Sequence, residues 1–414
     1  MTAIYLNQTT PRWTPTTEEA IRDAAEAGLL EETHFLELKS DLKPGPAANK
    51  ELARDLAQFA IDGGTLLVGV AETPECPPTL SPVDDVDGLC ERIEQVARSI
   101  PDPPLSVVCT RIDRGDRSGY VVVQVPASAR APHMVAQVYF GRGDKTKIRL
   151  SDDEVRRLHA AQETQRDIGR QEMAKYVARD PVPTELRQQA HLYVVAVPTA
   201  PRPEMLLNLT HGPTAQQERF ALIYQAAQEP TGVSQFSPAL TDATIFHRRD
   251  DGAAMTSYGL AEGRVLNSEP GARFSEDFIE VEFSEDGVIR LMTSRFSDEV
   301  RSGAGQELFG AMAPVLVRQF VELARAVSAK AGYGGMWALG FAATKVKGIP
   351  VHLGGRTSWQ WEAGGLTTDS FEHYTHEPTL ELAQHPGPVT ERLVGKFLRA
   401  AGISNWPDSQ SSIA

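Results

Sequence analysis

Between Ala48 and Val70 the chain switches abruptly from one hydrophobic period to another, and that switch constrains its architecture most. Leu52, Leu56 and Phe59 recur at helical spacing across Ala48 to Ile61. Gly63-Gly64 stops the helix, and Thr65 to Val70 (TLLVGV) is a run of β-formers short enough for a buried strand. The flanking segments alternate in the same way. Thr14-Pro15-Thr16-Thr17-Glu18 opens a helix to about Leu30, with Thr14 as its expected N-cap and Pro15 in its first position. Phe35 to Leu38 reads as a short strand, and Leu89, Ile93, Val96 and Ile100 mark a helix ended by a proline-rich stretch. Leu105 to Ile112 and Tyr120 to Val125 form a two-strand unit, and Ser151 with Glu154 makes a capping box for a further helix.

At 414 residues the chain has room for two or three domains of ~150 residues. A polar stretch from Glu163 ending in DPVP marks the boundary. Residues 1–165 form the first expected domain, 166–184 a helical linker, 185–405 a second, mixed α/β domain, and 406–414 a frayed tail. In the second domain His191 to Val197 reads as a strand and Gln216 to Gln228 as a helix. Phe278 to Arg295 reads as a hairpin turning at Glu285-Asp286-Gly287, Gln306 to Ala331 as a long helix, and Val389 to Ala401 as the last one. The expected class is α+β.

Composition narrows the function classes. Hydrophobic residues make up 41% and charged residues 23%, an ordinary globular balance. No apolar run approaches the ~18–20 residues of a membrane span, and no secretory signal is visible, so a cytoplasmic protein with no membrane partner is expected. Three cysteines, none in a CxxC pair, argue against a disulfide framework or a cysteine zinc site. The formal net charge is −14. Bulk electrostatics therefore oppose a polyanion, and any nucleic-acid contact needs a local basic patch or bridging metal ions.

The chemistry concentrates in Glu32-Thr33-His34-Phe35-Leu36-Glu37-Leu38-Lys39. Strand alternation puts Leu36 and Leu38 on one face, Phe35, Glu37 and Lys39 on the other. A Glu and a Lys between large apolar neighbours are costly unless paired or used. Glu72 follows the second strand. Three carboxylates converging at strand ends would suit Mg²⁺ or Mn²⁺, which take oxygen ligands and can position a phosphodiester. The competing reading pairs Glu37 with Lys39 or with an arginine and leaves Glu72 starting a loop. Arg142, Lys145, Lys147 and Arg149 are the one dense basic cluster. A hairpin over Val138 to Leu150 would put Lys145, Lys147 and Arg149 on one face as a phosphate-binding edge, with Tyr139 or Phe140 able to stack on a base. A lysine-protected edge strand is the alternative. His133 could donate to a phosphate or serve structure alone.

These segments carry a resemblance. ETHFLELK fits the pattern E-[ST]-x-x-[LV]-E-[FL]-K that opens the Schlafen-type AlbA_2 domain, and Phe59 to Val70 resembles its second signature. Val125-Pro126-Ala127-Ser128, Ala131-Pro132-His133-Met134-Val135, Tyr139-Phe140-Gly141-Arg142 and Glu154-Val155-Arg156-Arg157-Leu158 follow in the family's order. The resemblance covers roughly residues 30–160. It implies a mixed sheet with packed helices that interacts with RNA or DNA. By analogy with Schlafen nucleases it assigns Glu32, Glu37 and Glu72 to a divalent metal, for cleavage of RNA, including tRNA, in stress or phage defence. Beside the acids Lys39 would steady the scissile phosphate or balance charge, a snorkelling surface lysine being the alternative. Other members are described only as DNA-binding or ATP-binding, which leaves a non-catalytic regulator whose second domain senses a ligand or partner. No GxxxxGK[ST] phosphate loop supports an ATP site.

Elsewhere, His373-Tyr374-Thr375-His376-Glu377 has the look of a metal cluster but lacks a third ligand at a recognisable spacing, so a surface loop is expected. Trp359 and Trp361 would suit packing or a homodimer interface.

Overall fold

The computed structural model describes residues 13, 15–72, 78–128, 130–143, 146–199, 201, 204–230, 236–261, 264–265, 276–299, 305–352 and 365–403. Two compact units emerge: residues 1–165 with 332–336, and 166–331 with 337–414.

The first unit is built on a four-stranded sheet. Helix α1 (Glu18–Glu26) begins three residues later than expected: Thr17, not Thr14, is the N-cap, its hydroxyl accepting from the Ala20 amide at 3.2 Å. Thr14 itself lies outside the described residues. Strand β1 (Leu36–Lys39) crosses through α2 (Pro46–Phe59) to the parallel strand β2 (Gly64–Val68). Gly69 ends β2 with φ +99°, and a Cβ there would sit 2.7 Å from the Tyr120 ring, so only glycine fits. Short strands β3 (Val70–Ala71) and β4 (Thr79–Leu80) pair beyond it, followed by α3 (Val86–Ser99), β5 (Val108–Asp113) and β6 (Gly119–Val125). The sheet order is β1-β2-β6-β5, with β6 antiparallel to both neighbours.

Strand alternation sorts this core into two layers. Leu36, Leu38, Leu67, Val70, Tyr120 and Val122 pack on α1, while Leu66, Val68, Val121, Val123 and Val125 share a cluster with Leu52, Leu56 and Phe59 of α2. Strand β7 (Met134–Val135) pairs with β8 (Val138–Arg142), which forms the expected hairpin with β9 (Lys147–Arg149). Ser151 and Glu154 make a reciprocal capping box for α4 (Asp152–Ala178), with Glu154 Oε2 accepting from the Ser151 amide at 2.8 Å.

The second unit holds a seven-stranded sheet in which β10 (His191–Pro198) is fully buried. After α5 (Leu207–Thr210) and α6 (Ala215–Ala226) come β11 (Ile245–Arg249), β12 (Gly252–Thr256) and the short pair β13 (Leu260–Ala261) and β14 (Arg264–Val265). Strands β15 (Ile279–Ser284) and β16 (Ile289–Thr293) form the hairpin expected around Asp286-Gly287, Gly287 having φ +104°. Short strands β17 (Ser297–Asp298) and β18 (Glu307–Phe309) precede α7 (Met312–Ala331), so the expected helix from Gln306 begins later. Strand β19 (Met336–Thr344), β20 (Val351–His352), β21 (Ser370–Pro378), α8 (Thr379–Gln384) and α9 (Pro386–Ala400) complete the chain. The order is β11-β12-β15-β16-β10-β19-β21. The His373-to-Glu377 segment, expected as a loop, is part of the edge strand β21; His373 and His376, three apart on a strand, alternate to opposite faces and cannot form one ligand pair. Trp359, Trp361 and 406–414 lie outside the described residues. No helix among the described residues is long and apolar enough to cross a membrane.

Candidate nucleic-acid interface

In the first unit the β1–β2 pairing sets two of the motif segments side by side, with Glu37 opposite Leu66 and Lys39 opposite Val68. Glu37 points to the face that carries α2, away from Leu36 and Leu38, as alternation requires. Its carboxylate is buried and doubly bound. Lys39 Nζ donates to Oε1, and Arg142 Nη1 donates to Oε2 at 2.5 Å. Arg142 arrives from the end of β8, where its remaining donors reach the Thr33 carbonyl at 2.9 Å and the Leu36 carbonyl at 3.1 Å. Its guanidinium stacks 4.7 Å from the Phe59 ring centroid. Burial alone would push the Glu37 carboxyl up; hydrogen bonds from Lys39 and Arg142 outweigh it and hold the group below the usual carboxylate range.

Glu32 and Glu72 lie in the electrostatic field of this pair. Glu32 is half-buried and accepts from the Leu38 amide at 3.1 Å. Desolvation pushes its carboxyl up, repulsion from Glu37 and, less strongly, Glu72 adds to that, and the Leu38 amide and Lys39 pull it back. Glu72 directly follows β3 and is exposed.

Both oxygens of Glu37 are spent on Lys39 and Arg142, and no group of three or more His, Cys, Asp or Glu among the described residues is arranged to hold a metal ion. The expected cradle of Glu32, Glu37 and Glu72 for Mg²⁺ or Mn²⁺ is therefore not assembled: the three acids share a neighbourhood, but the central one serves as the counter-ion of two cations. Lys39, with its side chain 31% exposed, is the member of this cluster that reaches solvent while still tied to Glu37.

The basic cluster divides in the same way. Arg142, expected on a phosphate-facing edge, has its side chain 1% exposed and is an internal strut. Lys147 is paired opposite Arg142 in the hairpin, and its ammonium binds Glu51 and, at 2.7 Å, Asp55 of α2. Asp55 is buried, and desolvation pushes its carboxyl up despite Lys147. Arg149 is exposed beside Ile148, while Lys145 lies outside the described residues. Tyr139, half-buried, meets His159 edge-on at 6.3 Å between ring centroids. His133 is fully buried: Nδ1 donates to the Pro103 carbonyl at 2.6 Å, which leaves Nε2 to accept from the Ser128 hydroxyl at 2.7 Å. Burial pushes it down to about 4, so it is a neutral structural residue and no phosphate donor.

Asp55 and Glu51 were not singled out from the sequence. Asp55 carried a usable signal, since it falls three residues after Leu52 and one before Leu56, on the apolar stripe of α2, where an acid needs a partner.

No protein-family model matches the chain, and no curated protein matches it. Among solved structures it is similar to the DIP2311 protein from Corynebacterium diphtheriae, at 11% identity over 94% of this chain and 72% of that one, with a TM-score of 0.22.

Proposed function

We propose that residues 1–165 form a Schlafen AlbA_2-like module that binds nucleic acid without cleaving it, and that the chain is a cytoplasmic regulator of that kind. The observation that carries this reading is the engagement of Glu37 by Lys39 and Arg142. It ties the first motif to the Tyr-Phe-Gly-Arg motif, with Lys39 and Arg149 among the cations of these segments that reach solvent. The first contacts are to phosphate, which suits RNA and DNA alike. Incubation of the purified protein with tRNA and with single-stranded DNA, in Mn²⁺ or in chelator, tests it. Binding without cleavage in both conditions is expected.

A second reading, metal-dependent endonuclease action on RNA, draws on one observation: Glu32 is held above its usual range partly by repulsion from Glu37 and Glu72, and a divalent cation would relieve that repulsion. Cleavage that needs Mn²⁺ and disappears in Glu72→Gln, a change at an exposed position, would favour it.

A further inference from the structure

Cys90 and Cys109, 19 residues apart, are brought face to face on the side of the first unit away from β1. Cys90 lies on α3 and Cys109 on β5, the edge strand at the opposite end of the sheet order from β1. The two elements are held in one register by a neighbouring pair: Arg111, two residues beyond Cys109 on the same strand face, donates to Asp87, three residues before Cys90 on the helix. Both cysteines pack against the rim of the hydrophobic cluster formed by α2, α3, β2 and β6, and both stay partly open to solvent.

The electrostatics divide the labour between them. The neighbouring Cys109 thiol, with a smaller contribution from Arg111, holds the Cys90 thiol below its usual range, although burial, Glu94 and Asp87 oppose this. Its partner is pushed well above the usual range by the adjacent Cys90 and by burial. Their placement on facing elements lets one sulfur attack and the other resolve.

We infer that Cys90 and Cys109 are a reversible dithiol–disulfide pair, oxidised by a low-molecular-weight disulfide. The Cys90 thiolate attacks one sulfur of the small disulfide, whose S–S bond breaks and releases one thiolate. That thiolate takes the Cys109 proton. The Cys109 sulfur then attacks Cys90 in the mixed disulfide, forms the internal S–S bond and expels the second small thiolate, which takes a proton from solvent. The protein loses two electrons, and the small disulfide is reduced to two thiols. The product staples α3 to the edge strand β5. The absence of a CxxC motif hides the pair in the sequence, because the partners meet through the fold.

The inference stands apart from the nucleic-acid reading and is tested without nucleic acid. The full chain carrying Cys76→Ser, which removes the third cysteine, is incubated with oxidised glutathione, quenched in acid, and its thiols counted under denaturing conditions alongside intact mass. The expected result is loss of both thiols with the mass of two hydrogens removed, no retained glutathione, and a monomer on a non-reducing gel. The additional change Cys109→Ser should leave one glutathione stably attached to Cys90. In the unsubstituted chain, peptide mapping should find Cys90 joined to Cys109, a readout that does not depend on either variant folding. Persistence of both thiols, stable glutathione on both cysteines, or a disulfide between chains would overturn the inference.

Discussion

Arg142 Nη1 lies 2.5 Å from Glu37 Oε2, joining residues 105 apart in sequence inside a buried site. The same guanidinium holds the Thr33 and Leu36 carbonyls, so it fixes the backbone leading into Glu37 as well as the carboxylate. A fork with five donors in one plane can do this; an ammonium cannot.

Arg142→Met should therefore leave Glu37 with Lys39 alone and take one of two donors from the Thr33 and Leu36 carbonyls, which still pair with each other's amides, at a cost of about 3–5 kcal/mol. Arg142→Lys should recover only part of that. Urea unfolding at neutral pH measures both, and a loss under about 0.5 kcal/mol for Arg142→Met would show that the fork carries no structural load.

The two described strand β9 cations should behave oppositely. Lys147→Met strands the buried Asp55 and should destabilise by about 1–3 kcal/mol, measured by urea unfolding. Arg149→Ala should change stability by no more than about 0.5 kcal/mol, yet weaken nucleic-acid binding and lower the salt slope by about one.

His133 predicts acid sensitivity. Its folded value is pushed down to about 4 from 6.5 by burial, so between those values the unfolded chain binds a proton that the native one does not. Its contribution is present above the unfolded value and is lost as pH falls toward 4, to a total of about 3 kcal/mol. Urea midpoints at pH 7 and pH 4.5 should show the loss, and His133→Asn should flatten that slope.

His191 predicts the opposite sign in the second unit. It is buried, with Nδ1 2.6 Å from Asp180 Oδ2 and Nε2 3.9 Å from Glu276 Oε2; Tyr193 and Arg187 also face Asp180. Burial would lower it, but hydrogen bonds and attraction from the two carboxylates hold it above its usual range. Its contribution is complete below the unfolded value and is lost as pH rises through the folded one. An NMR titration should find one histidine resonance changing above the usual histidine range.

The strand faces, the α2–β2 switch, the Ser151–Glu154 box and the Asp286-Gly287 hairpin were legible because each depends on spacing within a few residues. The role of Arg142 was not, since nothing local says that β8 ends beneath β1. Alternation placed Glu37 and made Lys39 a local partner, but which arginine would join it depended on a contact over 100 residues away in sequence. The His373-to-Glu377 segment, expected as a loop and not as a ligand cluster, is an edge strand instead, and its alternation separates the two histidines.

The most direct test of the central claim is the affinity of the full chain for fluorescent tRNA, read by anisotropy in chelator across a salt series, with Lys39→Ala and Arg149→Ala beside the wild type. The account predicts intact RNA, binding that falls steeply with salt, and a shallower slope in each variant. Binding absent at low salt, or slopes unchanged by both substitutions, would contradict it.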